Sequence, residues 1–132
     1  MQGVIQEVQA IETFLRDAGC GAKSVHQMTV VAEEVLSNIL RDAWPDRAPG
    51  QCVVDVEATR TDDVVHVCLR TADDGIAFDP TAAEAPDLEA SLEERSIGGL
   101  GIVFIRAMTD AQTYRRSDGR NIFEVRKICS LT

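Results

Sequence analysis

The stretch TADDGIAFDP, from Thr71 to Pro80, places two acids directly before a glycine at the end of an apolar run. A turn needs one acid and one glycine, which leaves the second acid free for another role. A carboxylate at a strand end can accept a hydrogen bond from an exocyclic amine such as that of adenine. Gly75 would let the base approach the backbone closely. By itself, however, Asp-Gly after a strand is more often a turn than a ligand site.

Glu34 and Asn38 are four residues apart in the stretch VVAEEVLSNILRDAW, so on a helix they share one face. They border the apolar stripe, which lets them face a cleft beside a sheet. A carboxylate there can take a proton or orient a water, and an amide oxygen one turn away can ligate a hard cation such as Mg²⁺. The same pair is also typical of a solvated helix edge, so both interpretations stay open.

A third candidate is SIGGLGI, where Gly98, Gly99 and Gly101 open a helix. Exposed backbone N–H groups at a helix N-terminus bind anions. The stretch is neither a P-loop nor a dinucleotide-binding fingerprint, because the required spacings are missing. A flexible helix cap explains it equally well.

The pattern of apolar residues indicates which elements must position these groups. It predicts a first helix ending near Asp17, and a second that begins at an N-cap Ser24 and ends near Pro45. Two β-rich runs around TDD predict a hairpin, and a last hairpin turns at Asp118-Gly119. A long loop follows Pro80, and the third helix comes after it. The order α-α-β-β-loop-α-β-β predicts an α+β two-layer sandwich.

Composition restricts the partners. The 132 residues fit one domain, spanning 1–132, and carry a net charge of −9. Such a surface repels nucleic acid and anionic membranes, so we expect neither as a partner, and any nucleotide site must be made locally. The four cysteines and two histidines show no zinc-ligand spacing. With no signal peptide or transmembrane run in the sequence, we expect a reducing, cytoplasmic setting.

Taken in order, the segments EEVLSN, DDGIAFDP and IGGLGI resemble the N-box and the two glycine boxes of the GHKL superfamily of ATP-binding domains. The resemblance covers Ile11 to Ile128 and is closest to small serine/threonine kinases of the anti-sigma factor type. It implies the Bergerat fold of histidine-kinase-like ATPases, with a mixed, mostly antiparallel sheet and helices on one face. The combination of boxes is specific, although no single box is.

The resemblance also implies roles for individual residues. Asp73 would bind the adenine amine while Asp74 occupies the turn, and Glu34 would be the catalytic base. Asn38 would ligate Mg²⁺, and the loop from Asp79 to Ile97 would be the ATP lid. The implied nucleotide-binding set is Asn38, Asp73, Gly75, Ile76, Gly98, Gly99, Leu100 and Gly101, of which Gly99, Leu100 and Gly101 contact the triphosphate through backbone N–H groups.

Four residues depart from the family pattern. Asp42 stands where relatives often have His or Lys, which is unfavourable beside a triphosphate unless Mg²⁺ or Arg41 offsets its charge. Ala77 replaces a glycine, and Arg120 and Asn121 stand where a threonine contact is common. Because the sequence begins directly at the first helix, we expect the N-terminal strand of many relatives to be absent. Since no helix with a phosphoacceptor histidine precedes the domain, a complete sensor histidine kinase is not expected.

The functional prediction is therefore an ATP- and Mg²⁺-dependent serine/threonine kinase that phosphorylates a serine of a small, STAS-type anti-sigma-factor antagonist, with a sigma factor as competing ligand. One alternative is a nucleotide-binding regulatory module without phosphotransfer, and another is a protein-interaction scaffold that binds no nucleotide. The exposed face of the first helix is available for homodimerisation, although packing on the sheet explains its apolar spacing equally well.

Overall fold

A computed structural model describes residues 2–82 and 99–132. Within these ranges the chain forms helices α1–α3, a short 3₁₀ helix and strands β1–β4. The bounds are α1 Gln2–Asp17, α2 Ala22–Asp42, β1 Cys52–Arg60, β2 Val64–Asp73, the 3₁₀ helix Pro80–Ala82, α3 Gly99–Met108, β3 Ala111–Ser117 and β4 Arg120–Ser130. None of the helices in the described ranges is long and apolar enough to cross a lipid bilayer.

The four strands form one sheet in the order β1-β2-β4-β3, and each neighbouring pair is antiparallel. This confirms the α+β prediction. The resemblance implied a mixed sheet, but the part of the sheet that lies in the described ranges contains no parallel pair. The helices cover one face, where α1 packs on α2 and α2 packs on α3. The core between the two layers includes Ile11, Leu15, Val25, Met28, Val31, Ala32, Val35, Val65, Val67, Leu69, Ile105, Phe123 and Val125.

Buried and less buried residues alternate along strand β2, and this alternation determines which of its residues face the site. Its buried residues Val65, Val67 and Leu69 point into the core, and the same side of the strand continues with the polar residues Thr71 and Asp73. The antiparallel register places Thr71 opposite Phe123 and Asp73 opposite Asn121 on β4. A polar pair thus continues the buried apolar row toward the end of the strand.

The boundary of α2 corrects one prediction. The helix begins at Ala22 with Gly21 as its N-cap, and Ser24 lies buried inside the first turn instead of capping it. The reason is a long-range contact: Gly21 N–H donates to the Ser130 carbonyl at 2.8 Å, which fixes the chain at the end of β4. A Cβ at Gly21 would lie 2.2 Å from the carbonyl carbon of Thr132, so only glycine fits here.

The other boundaries follow the sequence closely. Helix α1 ends at Asp17, and β1 and β2 pair around Thr61–Asp63 as predicted. The last hairpin turns at Asp118 and Gly119, whose φ angles of 52° and 76° are those of a two-residue type I′ turn. The predicted loop after Pro80 starts with one 3₁₀ turn, and its remaining residues, 83–97, lie outside the described ranges.

Candidate functional site

Asp73 is the last residue of β2 and is 5% exposed. Its Oδ1 accepts two hydrogen bonds of 3.0 Å, one from Gly75 N–H and one from Asn121 Nδ2. Within the described ranges, Oδ2 accepts none. The carboxylate is therefore held in place through one oxygen, and the other is available to accept a donor from a ligand.

Asn121 is the residue that fixes Asp73, and it is itself buried. Its Nδ2 donates to Asp73 Oδ1 at 3.0 Å and to the Ile76 carbonyl at 2.7 Å. Its Oδ1 accepts from Phe78 N–H at 3.2 Å and from the Tyr114 hydroxyl at 2.6 Å. Both amide protons and both lone pairs are thus used. The sequence identified position 121 only as a departure from a threonine, whereas the structure gives its side chain a contact with the site carboxylate.

Asp74 does more than occupy a turn, which corrects the sequence interpretation. Its Oδ1 accepts from Trp44 Nε1 at 2.8 Å and from Gln51 N–H at 3.0 Å, and Arg47 lies 3.3 Å from Oδ2. The Trp44 hydrogen bond is the largest influence that lowers the pKa of the Asp74 carboxyl, followed by the bond from Gln51 and the charge of Arg47. Asp74 therefore anchors the connection between α2 and β1. This connection also needs Gly50, where a Cβ would lie 2.0 Å from Asp74 Oδ1.

Gly75 brings the strand end against α2. A Cβ at this position would lie 2.5 Å from the Cβ of Ala43 and 2.6 Å from its carbonyl oxygen. The next residue, Ile76, donates its N–H to the same carbonyl at 2.9 Å, while its side chain is exposed. Arg116 donates to the Gly75 carbonyl at 2.8 Å from the other side. Glycine is therefore needed here for packing on the end of α2, and its closeness to a base stays a prediction.

Glu34 and Asn38 are both half-buried on α2, the helix that Gly75 contacts through Ala43. Asn38 Oδ1 accepts from Arg41 at 2.8 Å, and Arg41 also pairs with Asp42 at 3.1 Å. Arg41 therefore offsets the charge of Asp42, but it also uses the amide oxygen that was predicted to ligate Mg²⁺. The Glu34 carboxylate makes no hydrogen bond or ion pair within the described ranges, so it is available as a proton acceptor.

The glycine segment begins α3 at Gly99, so Gly99, Leu100 and Gly101 form its first turn. Their backbone N–H groups have no partners within the helix and can bind an anion. The buried Ile102 and Ile105 hold this helix against the core. Gly98 and most of the predicted lid lie outside the described ranges.

The described residues fit an adenine nucleotide better than a free metal ion. A buried carboxylate with one unoccupied oxygen suits an amine, and the first turn of α3 suits phosphate. Within residues 2–82 and 99–132, no group of three or more His, Cys, Asp or Glu side chains could hold a metal. A Mg²⁺ ion at Asn38 would therefore need phosphate oxygens as further ligands, as is usual for this ion, and Asn38 would first have to release Arg41.

Three comparisons place the chain among known proteins. Residues 4–127 match the family model of the histidine kinase-like ATPase domain. A serine/threonine-protein kinase from Bordetella bronchiseptica, BtrW, is 35% identical over 94 residues, which cover 71% of this chain and 63% of that protein. The chain thus spans less than two thirds of this relative's length.

A solved structure shares the fold. It is the histidine kinase domain of a blue-light-activated histidine kinase from Erythrobacter litoralis, with a TM-score of 0.50 and 17% identity over 94% of this chain and 62% of that one. The match to the family model extends over nearly all of α1–α3 and β1–β4. The chain therefore belongs to the histidine kinase-like ATPase domain family.

Proposed function

We propose that this domain binds ATP between α2, α3 and the end of β2, and transfers its γ-phosphoryl group to a serine of a protein substrate. The observation that carries the proposal is the buried Asp73 carboxylate, with Oδ1 held by Asn121 and Gly75 and Oδ2 unoccupied within the described ranges. This arrangement suits the amine of adenine. The similarity to a serine/threonine-protein kinase supports the choice of acceptor.

Each remaining residue then has a distinct task. The first turn of α3, at Gly99, Leu100 and Gly101, offers backbone N–H groups to the phosphates, and Gly98 precedes it in the chain. Gly75 and Ile76 form the backbone next to the base. Asn38 would hold Mg²⁺ together with phosphate oxygens, and the ion would neutralise charge on the transferred group.

Glu34 is the proposed base. The serine hydroxyl oxygen attacks the γ-phosphorus while its proton passes to the Glu34 carboxylate. The bond between the γ-phosphorus and the bridging oxygen breaks, and its electron pair leaves with ADP. Catalysis would rest mainly on positioning and charge neutralisation. Glu34 has no hydrogen-bond or ion-pair partner within the described ranges, so its carboxylate is free to accept the proton.

The proposed substrate is a STAS-type anti-sigma-factor antagonist, with a sigma factor as competing ligand, and the proposed setting is regulation of transcription in the cytoplasm. This part rests on the resemblance of the three boxes to anti-sigma factor kinases. A homodimer through α1 belongs to the same proposal, because Ile5 and Phe14 remain exposed on that helix.

A second candidate function is nucleotide-dependent regulation without phosphotransfer. Two features favour it. The bond from Arg41 to Asn38 occupies the amide oxygen proposed for Mg²⁺, and the acid at position 42 is unfavourable beside a triphosphate. In that case the domain would bind its partner differently when it is loaded with nucleotide and when it is empty.

The test combines binding with turnover. Isothermal titration calorimetry measures the Kd for ATP with Mg²⁺ on the wild type and on Asp73→Asn. Binding by the wild type that is lost in the variant supports the proposed adenine site at Asp73. Phosphorylation of a candidate antagonist is then followed for Glu34→Gln, with Glu33→Gln as a matched control because Glu33 is the exposed neighbour on the same helix. Loss of turnover only at position 34 supports the kinase. ATP binding without phosphorylation of any candidate antagonist supports the regulatory module, and no ATP binding refutes both.

A further inference from the structure

Thr71 has a buried hydroxyl that the fold leaves unpaired. The residue is 2% exposed, and its Oγ1 has no hydrogen-bond partner in the described ranges. It is the only side-chain nitrogen or oxygen in those ranges that is completely shielded from solvent and has no partner. Buried hydroxyl groups nearly always have a partner, so an unpaired one calls for an explanation.

The neighbouring strands supply no polar side chain for this hydroxyl. Thr71 lies opposite Val54 on β1 and opposite Phe123 on β4, and both of these side chains are apolar. Valine would fill nearly the same volume without an unpaired group, and β2 already has valine at its inward positions 65 and 67. Packing alone therefore does not account for a threonine at this position.

The position of Thr71 relative to Asp73 suggests an answer. The two residues are two apart on β2 and face the same side of the sheet, so their Cα atoms lie about 7 Å apart. Asp73 Oδ2 and Thr71 Oγ1 are then two neighbouring unpaired groups, one an acceptor and the other able to donate. One edge of a small heterocycle, alone or with one water molecule, can reach both of these side-chain groups.

We propose that Thr71 is a second base-reading residue, whose hydroxyl donates a hydrogen bond, directly or through one water molecule, to the ring nitrogen N1 beside the amine that Asp73 accepts. This inference rests on the proposed function. Adenine presents an amine donor next to the N1 acceptor, which matches this pair. Guanine presents a carbonyl oxygen next to a protonated N1, so an acceptor would face the Asp73 carboxylate and a donor would face the Thr71 hydroxyl.

The test measures the affinity of the whole chain for ATP and for 1-deaza-ATP, in which a C–H group replaces N1. The variants are Thr71→Val, which removes the hydroxyl at constant volume, and Thr71→Ser, which keeps it. Thr59→Val on the exposed side of β1 is the matched control. We expect Thr71→Val to raise the Kd for ATP about tenfold, equal to about 1.4 kcal/mol, and to leave the Kd for 1-deaza-ATP unchanged. Thr71→Ser and Thr59→Val should bind ATP like the wild type.

Each result has one meaning. Unchanged ATP affinity in Thr71→Val, beside a wild type that binds ATP, overturns the role of Thr71 and leaves the proposed function standing. An equal loss for both nucleotides also overturns it, because the hydroxyl would then not address N1. A wild type that binds no ATP refutes the proposed function and this inference together. If circular dichroism shows that Thr71→Val is unfolded, Thr71→Ala is measured by the same criteria.

Discussion

Replacing Asn121 by alanine should be among the most damaging single changes near the site. The substitution removes all four hydrogen bonds of the amide, which leaves Asp73 Oδ1 with one donor fewer and the Tyr114 hydroxyl without its acceptor. The backbone partners, at Ile76 and Phe78, belong to residues with exposed side chains and can bond water instead. At about 1 kcal/mol for each lost bond, and more for a partner left buried, we expect the free energy of unfolding to fall by about 2–4 kcal/mol.

Urea unfolding followed by circular dichroism measures this loss, which should also lower Tm by roughly 4 °C per kcal/mol for a domain of this size. Gln112→Ala serves as the control, because the Gln112 side chain makes one half-buried hydrogen bond, to Thr109, and its loss should cost about 1 kcal/mol. Asn121→Thr should recover part of the stability, since a hydroxyl can still donate to Asp73.

The isosteric change Asn121→Asp gives a signature in pH. It places a second carboxyl group against Asp73, and two like charges at this distance disfavour the doubly ionised state. The loss of stability should therefore be largest at neutral pH and shrink as the pH falls and one carboxyl group takes up a proton. If the free energy of unfolding of Asn121→Ala differs from that of the wild type by less than about 0.5 kcal/mol, the hydrogen bonds of the Asn121 amide do not hold the site as described.

Three further predictions concern the surroundings of the site. The folded state lowers the pKa of Asp74 from its ordinary value of 3.8. The ionised carboxylate therefore stabilises the fold above pH 3.8, and this contribution is lost as the pH falls through the lowered pKa. In Asp74→Asn, the free energy of unfolding measured in urea should therefore depend less on pH below about pH 4. Gly50→Ala should lower the free energy of unfolding by about 1–3 kcal/mol in thermal melts, because the new Cβ would displace Asp74 Oδ1. Gly3→Ala is the control: its Cβ would meet nothing within 4 Å, so the change should be neutral or mildly stabilising. Burial is the main cause that raises the pKa of the Cys20 and Cys52 thiols to about 11. At about pH 8 both thiols should therefore react with a thiol-specific disulfide reagent much more slowly in the native protein than in urea. Equal reaction rates in the two conditions would contradict the burial of these thiols.

The sequence predicted the element order and both hairpins because these depend on local patterns. β-branched alternation marks β1 and β2, and Asp118-Gly119 supplies the two positive φ angles of its turn. The placement of Asp73 at the end of a strand was also predictable, since the apolar run stops there. Its role in binding adenine stays a prediction, as do the roles of Glu34 and Asn38.

What the sequence could not predict depends on long-range contacts. Asn121 reaches Asp73 across 48 residues, and only the register of β2 with β4 brings the two together. The replacement of Ser24 as N-cap follows from the bond between Gly21 and Ser130 at the far end of the chain. A signal for Asn121 existed nevertheless: in an antiparallel pair, a polar residue opposite a buried acid on the inward face must bond to it or remain unsatisfied.

The contact between Trp44 and Asp74 gives this protein an optical probe of its own. Trp44 is the single tryptophan of the chain and is nearly buried, and its indole N–H donates to the carboxylate adjacent in sequence to Asp73. Indole emission responds to hydrogen bonding and to nearby charge, so a ligand that shifts the end of β2 should change the emission of one identified residue. Occupancy of the site can thus be followed in unlabelled protein. Asp74→Ala, which removes the acceptor of the indole N–H, is the variant in which the emission should no longer respond.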